Sequence, residues 1–226
     1  MGDGWMGGIT VNRSLVTLAA VVALLGGGAR ADEAVRGAEL FELCAQCHGP
    51  AGGGNQGALA PAIAGLPDWY VLTQLKDFKT GLRGLQPDDT GGLRMYPMSQ
   101  YLKTDEDLHA AAHFVSSLPP VLSEPTVVGG DAERGAKLYT PCTACHGPDG
   151  GGNQALNAPP LRGRSDWYLL SSLQKFKAGI RGNDPKNTNA ALMRGMAQML
   201  TDEQAMKDVV AYIDSLSRQT ASNAAK

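Results

Sequence analysis

Aromatic side chains are scarce in this chain: four Phe, three Trp and six Tyr make up 6% of 226 residues, against 29 glycines. A core with so little bulk is marginal at this length unless something large and apolar completes it. Histidine is scarcer, at four residues, and no H-E-x-x-H or G-x-S-x-G pattern occurs, which excludes the familiar zinc-protease and serine-hydrolase layouts. The glycine-rich stretches at 49–57 and 147–152 have no Lys-Ser/Thr after them and no strand pattern before them, so they are not phosphate loops. A long hydrophobic run is also missing. Only the 16 residues Ser14–Ala29 separate Arg13 from Arg30, short of the ~20 that a spanning helix needs. With 20 Lys+Arg against 22 Asp+Glu the chain lacks the strongly basic balance of a nucleic-acid binder.

Cysteine is limited to four residues, and all four lie in two copies of one pattern: Cys44-Ala45-Gln46-Cys47-His48 and Cys142-Thr143-Ala144-Cys145-His146. C-x-x-C-H is the attachment signature of c-type haem. Two thiols about one helical turn apart can add to the two vinyl groups of one porphyrin, while the adjacent imidazole reaches the iron from the same side. A four-cysteine zinc site would not explain the histidine after each pair. A thioredoxin-like motif would need a β/α alternation that this chain does not show, and haem attachment would leave no thiol over for a structural disulfide. The expectation is two covalently bound haem c groups, held through Cys44, Cys47, Cys142 and Cys145, with His48 and His146 on the iron.

The chain repeats itself at a constant register of 98 residues, from Gly37/Gly135 to Leu118/Leu216. Asp68-Trp69-Tyr70 matches Asp166-Trp167-Tyr168, Arg83-Gly84 matches Arg181-Gly182, and Met95 and Met98 match Met193 and Met196. A period this long denotes whole domains, which we expect at 32–118 and 131–226 with a breaker-rich linker at 119–130. Residues 1–31 read as a signal peptide: Arg13 supplies the positive region, an apolar run follows, and Ala29-Arg30-Ala31 has the small-x-small form of a cleavage site before Asp32. Export to the periplasm follows, which suits covalent haem attachment.

Each half reads as helical with long loops. A first helix opens at Gly37 and ends on the haem motif, a second covers Trp69–Phe78 and stops before Gly81, and a last one starts near Thr104, or Thr201 in the second half. The distal iron position calls for a methionine, and spacing alone leaves Met95 or Met98, and Met193 or Met196, open. His109 and His113 have no counterparts in the second half and read as surface residues.

The two C-x-x-C-H-G-P stretches, the Trp69-Tyr70 to Arg83-Gly84 segment with its copy, and the methionines followed by Leu102 and Leu200 resemble the dihaem class I cytochromes c of the c4 type across essentially the whole mature chain. The resemblance implies an all-α fold of two tandem class I cytochrome c domains. It selects Met95 and Met193 as axial iron ligands, seven residues before Leu102 and Leu200. It also implies that the carbonyls of Pro61 and Pro159 accept a hydrogen bond from the ligating histidines and so fix the orientation of the rings. Trp69, Trp167, Arg83 and Arg181 become candidates to meet the haem propionates. His/Met ligation saturates the iron, so the expected function is electron transfer and not catalysis. The implied partners are redox proteins: a cytochrome bc-type, quinol-oxidising complex or a dehydrogenase as donor and a terminal oxidase as acceptor, with peripheral membrane association open. The alternatives are a cytochrome subunit of a larger dehydrogenase, such as a sulfide-oxidising flavocytochrome, and a dihaem peroxidase. Charge is uneven along the chain: residues 32–124 hold 6 Lys+Arg against 12 Asp+Glu, and residues 125–226 hold 12 against 9. Such an asymmetry points to Lys175 and Lys177 as docking residues for an acidic partner.

Overall fold

A computed structural model of the chain describes residues 13–224, with side chains from 31 to 223. The expected signal peptide, apart from Ala31, lies outside the residues whose side chains are described. The first half consists of α1 (Arg13–His48), α2 (Asp68–Lys79), α3 (Thr90–Tyr101) and α4 (Asp105–Ser117). The second half repeats the plan with α5 (Ala132–Tyr139), a 3-10 turn at Thr140–Cys142, α6 (Thr143–His146), α7 (Asp166–Lys177), α8 (Thr188–Ala197) and α9 (Glu203–Ala224). Among the described residues the β-type pairing consists of two isolated antiparallel bridges, Asn55–Ala60 and Asn153–Ala158, which close the loop after each histidine. No helix of the described residues is long and apolar enough to cross a membrane.

The first helix of the fold does not open at Gly37 as the repeat suggested; it runs on upstream to Arg13. Gly37 lies inside it for another reason. There α1 crosses α4 so closely that a Cβ would fall onto the Ala110 carbonyl oxygen and come within 2.7 Å of the Phe114 Cβ. Gly135 meets the Asp208 carbonyl and Tyr212 of α9 in the same way. Only a residue with no side chain lets the two backbones meet. In the second half the helix that leads to the haem motif is broken into α5, the 3-10 turn and α6, because Pro141 stands where the first half has Leu43 and cannot donate into a helix interior.

Beside each crossing an acid is fixed by the arginine that precedes the glycine: Arg36 binds Asp107 at 2.8 Å, and Arg134 binds Asp208. Leu40, Leu102 and Leu108 fill the first core, next to Phe41, Val71 and Val115. Tyr139, Leu200, Met206, Val209, Val210 and Ile213 fill the second. Helix α4 starts with a reciprocal capping box between Thr104 and Asp107. Its counterpart α9 starts at Glu203, with the Asp202 carboxylate accepting the Ala205 N–H at 2.8 Å. The cap thus falls at Asp202 and not at Thr201, which preserves the 98-residue register and places Lys103 opposite Thr201.

The 119–130 segment is extended and anchored. Asp166, 4% exposed, accepts hydrogen bonds from the Thr126 and Val127 N–H groups, both at 2.6 Å, and from the Thr126 hydroxyl at 3.0 Å. This ties the connection to the second half.

Candidate haem sites

Each C-x-x-C-H ends a helix, so the first cysteine of each motif is half-buried, the second is exposed and the histidine turns inward. His48 is 6% exposed and His146 5%. Their Nδ1 atoms stand 2.8 Å from the carbonyl oxygens of Pro61 and Pro159. With Nδ1–H donating there, the neutral imidazole keeps a free lone pair on Nε2, the form in which histidine ligates a metal. Burial lowers both histidine pKa values, and the proline carbonyls offset this only in part. Burial likewise raises the thiols of Cys44 and Cys142.

The glycine loop earns its composition at Gly54. Its N–H donates to the His48 carbonyl at 2.8 Å, its φ is +87°, and a Cβ would strike the backbone of Pro61 and Ala62. The loop therefore closes tightly enough to bring the Pro61 carbonyl onto the imidazole. Among the described residues no three His, Cys, Asp or Glu side chains cluster to hold a metal ion, so the two cysteine pairs do not converge on a zinc site.

A cavity of about 670 Å³ runs through both halves. His48, Pro61 and Met95 line it from the first half; His146, Pro159, Met193 and Met196 line it from the second. Met98 is not among the lining residues, whereas Met199, 56% exposed, is. His109 and His113 are exposed on α4, in keeping with a surface role.

The halves meet across this cavity in a nearly two-fold arrangement. Arg83 donates to Gln74 Oε1 at 2.5 Å and to the Tyr168 hydroxyl at 2.9 Å, and its guanidinium lies 4.4 Å from the centre of the Phe78 ring. Its repeat mate Arg181 donates to Ser172 at 3.2 Å, lies 4.3 Å from the Phe176 ring and faces Tyr70. Asn187 donates to Asp77 at 2.8 Å, and Lys175 pairs with Asp89 at 2.7 Å. Under the repeat Asp77 corresponds to Lys175 and Asp89 to Asn187, so each contact mirrors the other, as in an isologous dimer. Burial pushes the Tyr168 hydroxyl up, but Arg83 and Arg181 outweigh it and bring it down to about 7. At Tyr70 burial wins, and the phenol is raised.

The Nε of Arg83 is buried without a hydrogen-bond partner. An apolar cavity with two oriented imidazoles and a buried cationic donor left unpaired fits a porphyrin that brings carboxylates of its own. The family model described as "Cytochrome c" matches this chain twice, at residues 34–119 and 132–217. The chain belongs to the cytochrome c family. Within it the chain is similar to cytochrome c4 of Azotobacter vinelandii, 34% identical over 91% of this chain and 100% of its own length. The crystal structure of reduced recombinant cytochrome c4 from Pseudomonas stutzeri matches with a TM-score of 0.63 at 31% identity, over 80% of this chain and 96% of that one. A thiosulfate dehydrogenase electron acceptor of Stutzerimonas stutzeri is 33% identical over 71% of this chain and 73% of its own length. This c4-type cytochrome binds two haem c groups and carries electrons; it is not an enzyme.

The sequence reading missed the cross-domain contacts. Lys175 is not a free docking residue but the partner of Asp89, and Lys177 donates to the Leu200 carbonyl. The signal was present at 66–67, where Leu-Pro faces Arg164-Ser165 in the repeat; a break in a repeat marks a place where the halves are used differently.

Proposed function

We propose that Cys44 and Cys47 hold one haem and Cys142 and Cys145 the other, with His48 and Met95, and His146 and Met193, as the axial iron ligands. The observation that supports this reading is the cavity: both histidines, both prolines, Met95 and Met193 line it, with Met196 beside Met193. The bound haem supplies a one-electron couple. The protein's part is to orient each imidazole through the proline carbonyl, to keep water from the iron with apolar side chains, and to neutralise the propionates with Arg83 and Arg181. The mature chain begins at Asp32, works in the periplasm, and comprises haem domains at 32–118 and 131–226 joined by 119–130.

In this reading the protein takes electrons from a quinol-oxidising complex or a dehydrogenase and delivers them to a terminal oxidase. The likeness to a thiosulfate dehydrogenase electron acceptor favours a sulfur-compound dehydrogenase as donor. Stopped-flow reduction of the holoprotein separates the donors. Reduction by catalytic amounts of a thiosulfate-oxidising dehydrogenase, with thiosulfate present, is expected to outpace reduction by a quinol-oxidising complex with quinol. The reverse order would assign the quinol branch, and failure with both would overturn the assignment of donors.

A further inference from the structure

The two-fold arrangement of the halves has one contact without a mirror image. Arg164 and Ser165 of the second half stand where the first half has Leu66 and Pro67. The Ser165 hydroxyl, on a residue 2% exposed, accepts the N–H of Ala62 at 3.2 Å. Arg164 adds long hydrogen bonds to the carbonyls of Ala62, at 3.4 Å, and Ala64, at 3.3 Å. The peptide unit that Ser165 grips is the one whose carbonyl, that of Pro61, holds the His48 ring at 2.8 Å. The equivalent unit in the second half is Pro159-Pro160, which has no N–H, so the carbonyl that holds His146 receives no such support.

We propose that Ser165 is a positioning residue for the first haem, acting across the domain boundary to make its potential lower than it would otherwise be, with no matching effect on the second haem. An amide whose N–H is hydrogen-bonded carries a more negative carbonyl, since bonds in a chain polarise one another. A stronger acceptor at Nδ1 makes the imidazole a more basic ligand. A more basic ligand favours ferric over ferrous iron. The bias directs an electron that arrives at the first haem toward the second. Ser165 is itself held by the Ser123 hydroxyl at 3.3 Å, so the extended connection is part of the device. The inference rests on His48 as an iron ligand.

The test is a redox titration of the full-length holoprotein, with the two haems followed separately by their hyperfine-shifted methyl resonances. Ser165→Ala removes the acceptor. Ala62→Pro removes the donor and gives the first half the Pro-Pro unit that the second half already accommodates. Both are expected to raise the potential of the first haem and leave the second in place. The electron-exchange equilibrium between the haems should change by up to about tenfold, ~59 mV for a one-electron couple. The His48 ring N–H should also exchange faster with solvent. Ser165→Thr, which retains the hydroxyl, should behave as wild type. Lys175→Met opens the same interface away from this peptide, reaches the first haem only through the charge left on Asp89, and should leave exchange of the His48 ring N–H unmoved. Equally faster ring N–H exchange in Lys175→Met, or potentials unmoved in both Ser165→Ala and Ala62→Pro, overturns the proposal. Loss of the low-spin spectrum in the unaltered protein would instead sink the ligand assignment and this inference with it.

Discussion

The two methionine pairs differ once their side chains are followed inward. Met95 lines the cavity and Met98 does not, although three residues on a helix fall on roughly one face; Met98 is half-buried beside the exposed Pro97. In the second half both Met193 and Met196 line it. Met95→Ala is therefore expected to abolish the sulfur-to-iron charge-transfer band of the first haem and to lower its potential. Met98→Ala should leave the band intact and cost about 1–2 kcal/mol of stability, less than a fully buried methionine would. Absorbance and thermal melts of the two variants check this. If Met98→Ala removes the band, the ligand sits one turn further along the chain. The same comparison of Met193→Ala with Met196→Ala decides the second half, where both residues line the cavity.

At the scale of the elements, the crossings of α1 with α4 and of α5 with α9 hold each half together and aim the haem motif. Propensity alone would favour alanine over glycine inside a helix by ~1 kcal/mol. Here the backbone approach at Gly37 and Gly135 outweighs it, since the Cβ would meet carbonyl oxygen and backbone that cannot move aside. Gly37→Ala and Gly135→Ala are each expected to lower the melting temperature of the holoprotein, by overpacking worth about 1–3 kcal/mol. Gly135→Ala should be the worse of the two, as its nearest neighbour is closer. A variant that melted higher than the parent would show that the helices part without loss. The break at Pro141 works in the opposite sense: it shortens α5 without disturbing the turn that brings His146 inward.

For the whole molecule, the uneven charge of the halves acquires a second meaning. Part of the basic excess of the second half is turned toward the first: Lys175 reaches Asp89, while Arg181 and Arg164 lie in the interface. Burial alone would raise the Asp89 carboxyl, and Lys175, with the Gly92 N–H, brings it below its usual range. The Lys175 side chain is 22% exposed and that of Asp89 2%, so this pair is shielded from solvent. Lys175→Glu is expected to destabilise by about 3–5 kcal/mol, because it leaves a buried carboxylate facing another. The swap Lys175→Asp with Asp89→Lys should recover only part of this loss, since Asp89 also caps α3 through Gly92 at 3.0 Å. Chemical denaturation of the three proteins measures it. A Lys175→Glu variant as stable as the parent would mean that the halves do not depend on this contact. With the expected destabilisation, slower electron exchange in Lys175→Glu would report a displaced domain and not a lost docking charge.

Much of this protein is written in short stretches of chain. Two C-x-x-C-H motifs determine the number and kind of cofactors because covalent attachment needs only local spacing, and a 98-residue repeat declares two helical halves because each half carries its own helix signals. The register even predicts that Pro61 and Pro159 occupy equivalent places, although their carbonyl contacts depend on how tightly the glycine loops close. What the tertiary structure alone decided lies between residues far apart in sequence. Met95 and Met98 have the same chemistry, and only the packed structure shows that the first lines the cavity and the second does not. Lys175 looks like a surface charge until Asp89 arrives beside it from 86 residues away. Ser165 and Ala62 are unremarkable on any linear reading, yet they meet over a separation of 103 residues. Local patterns specify which groups a chain carries; only the packing of one half on the other specifies which of them meet, because burial and direction are properties of the assembled backbone and not of spacing.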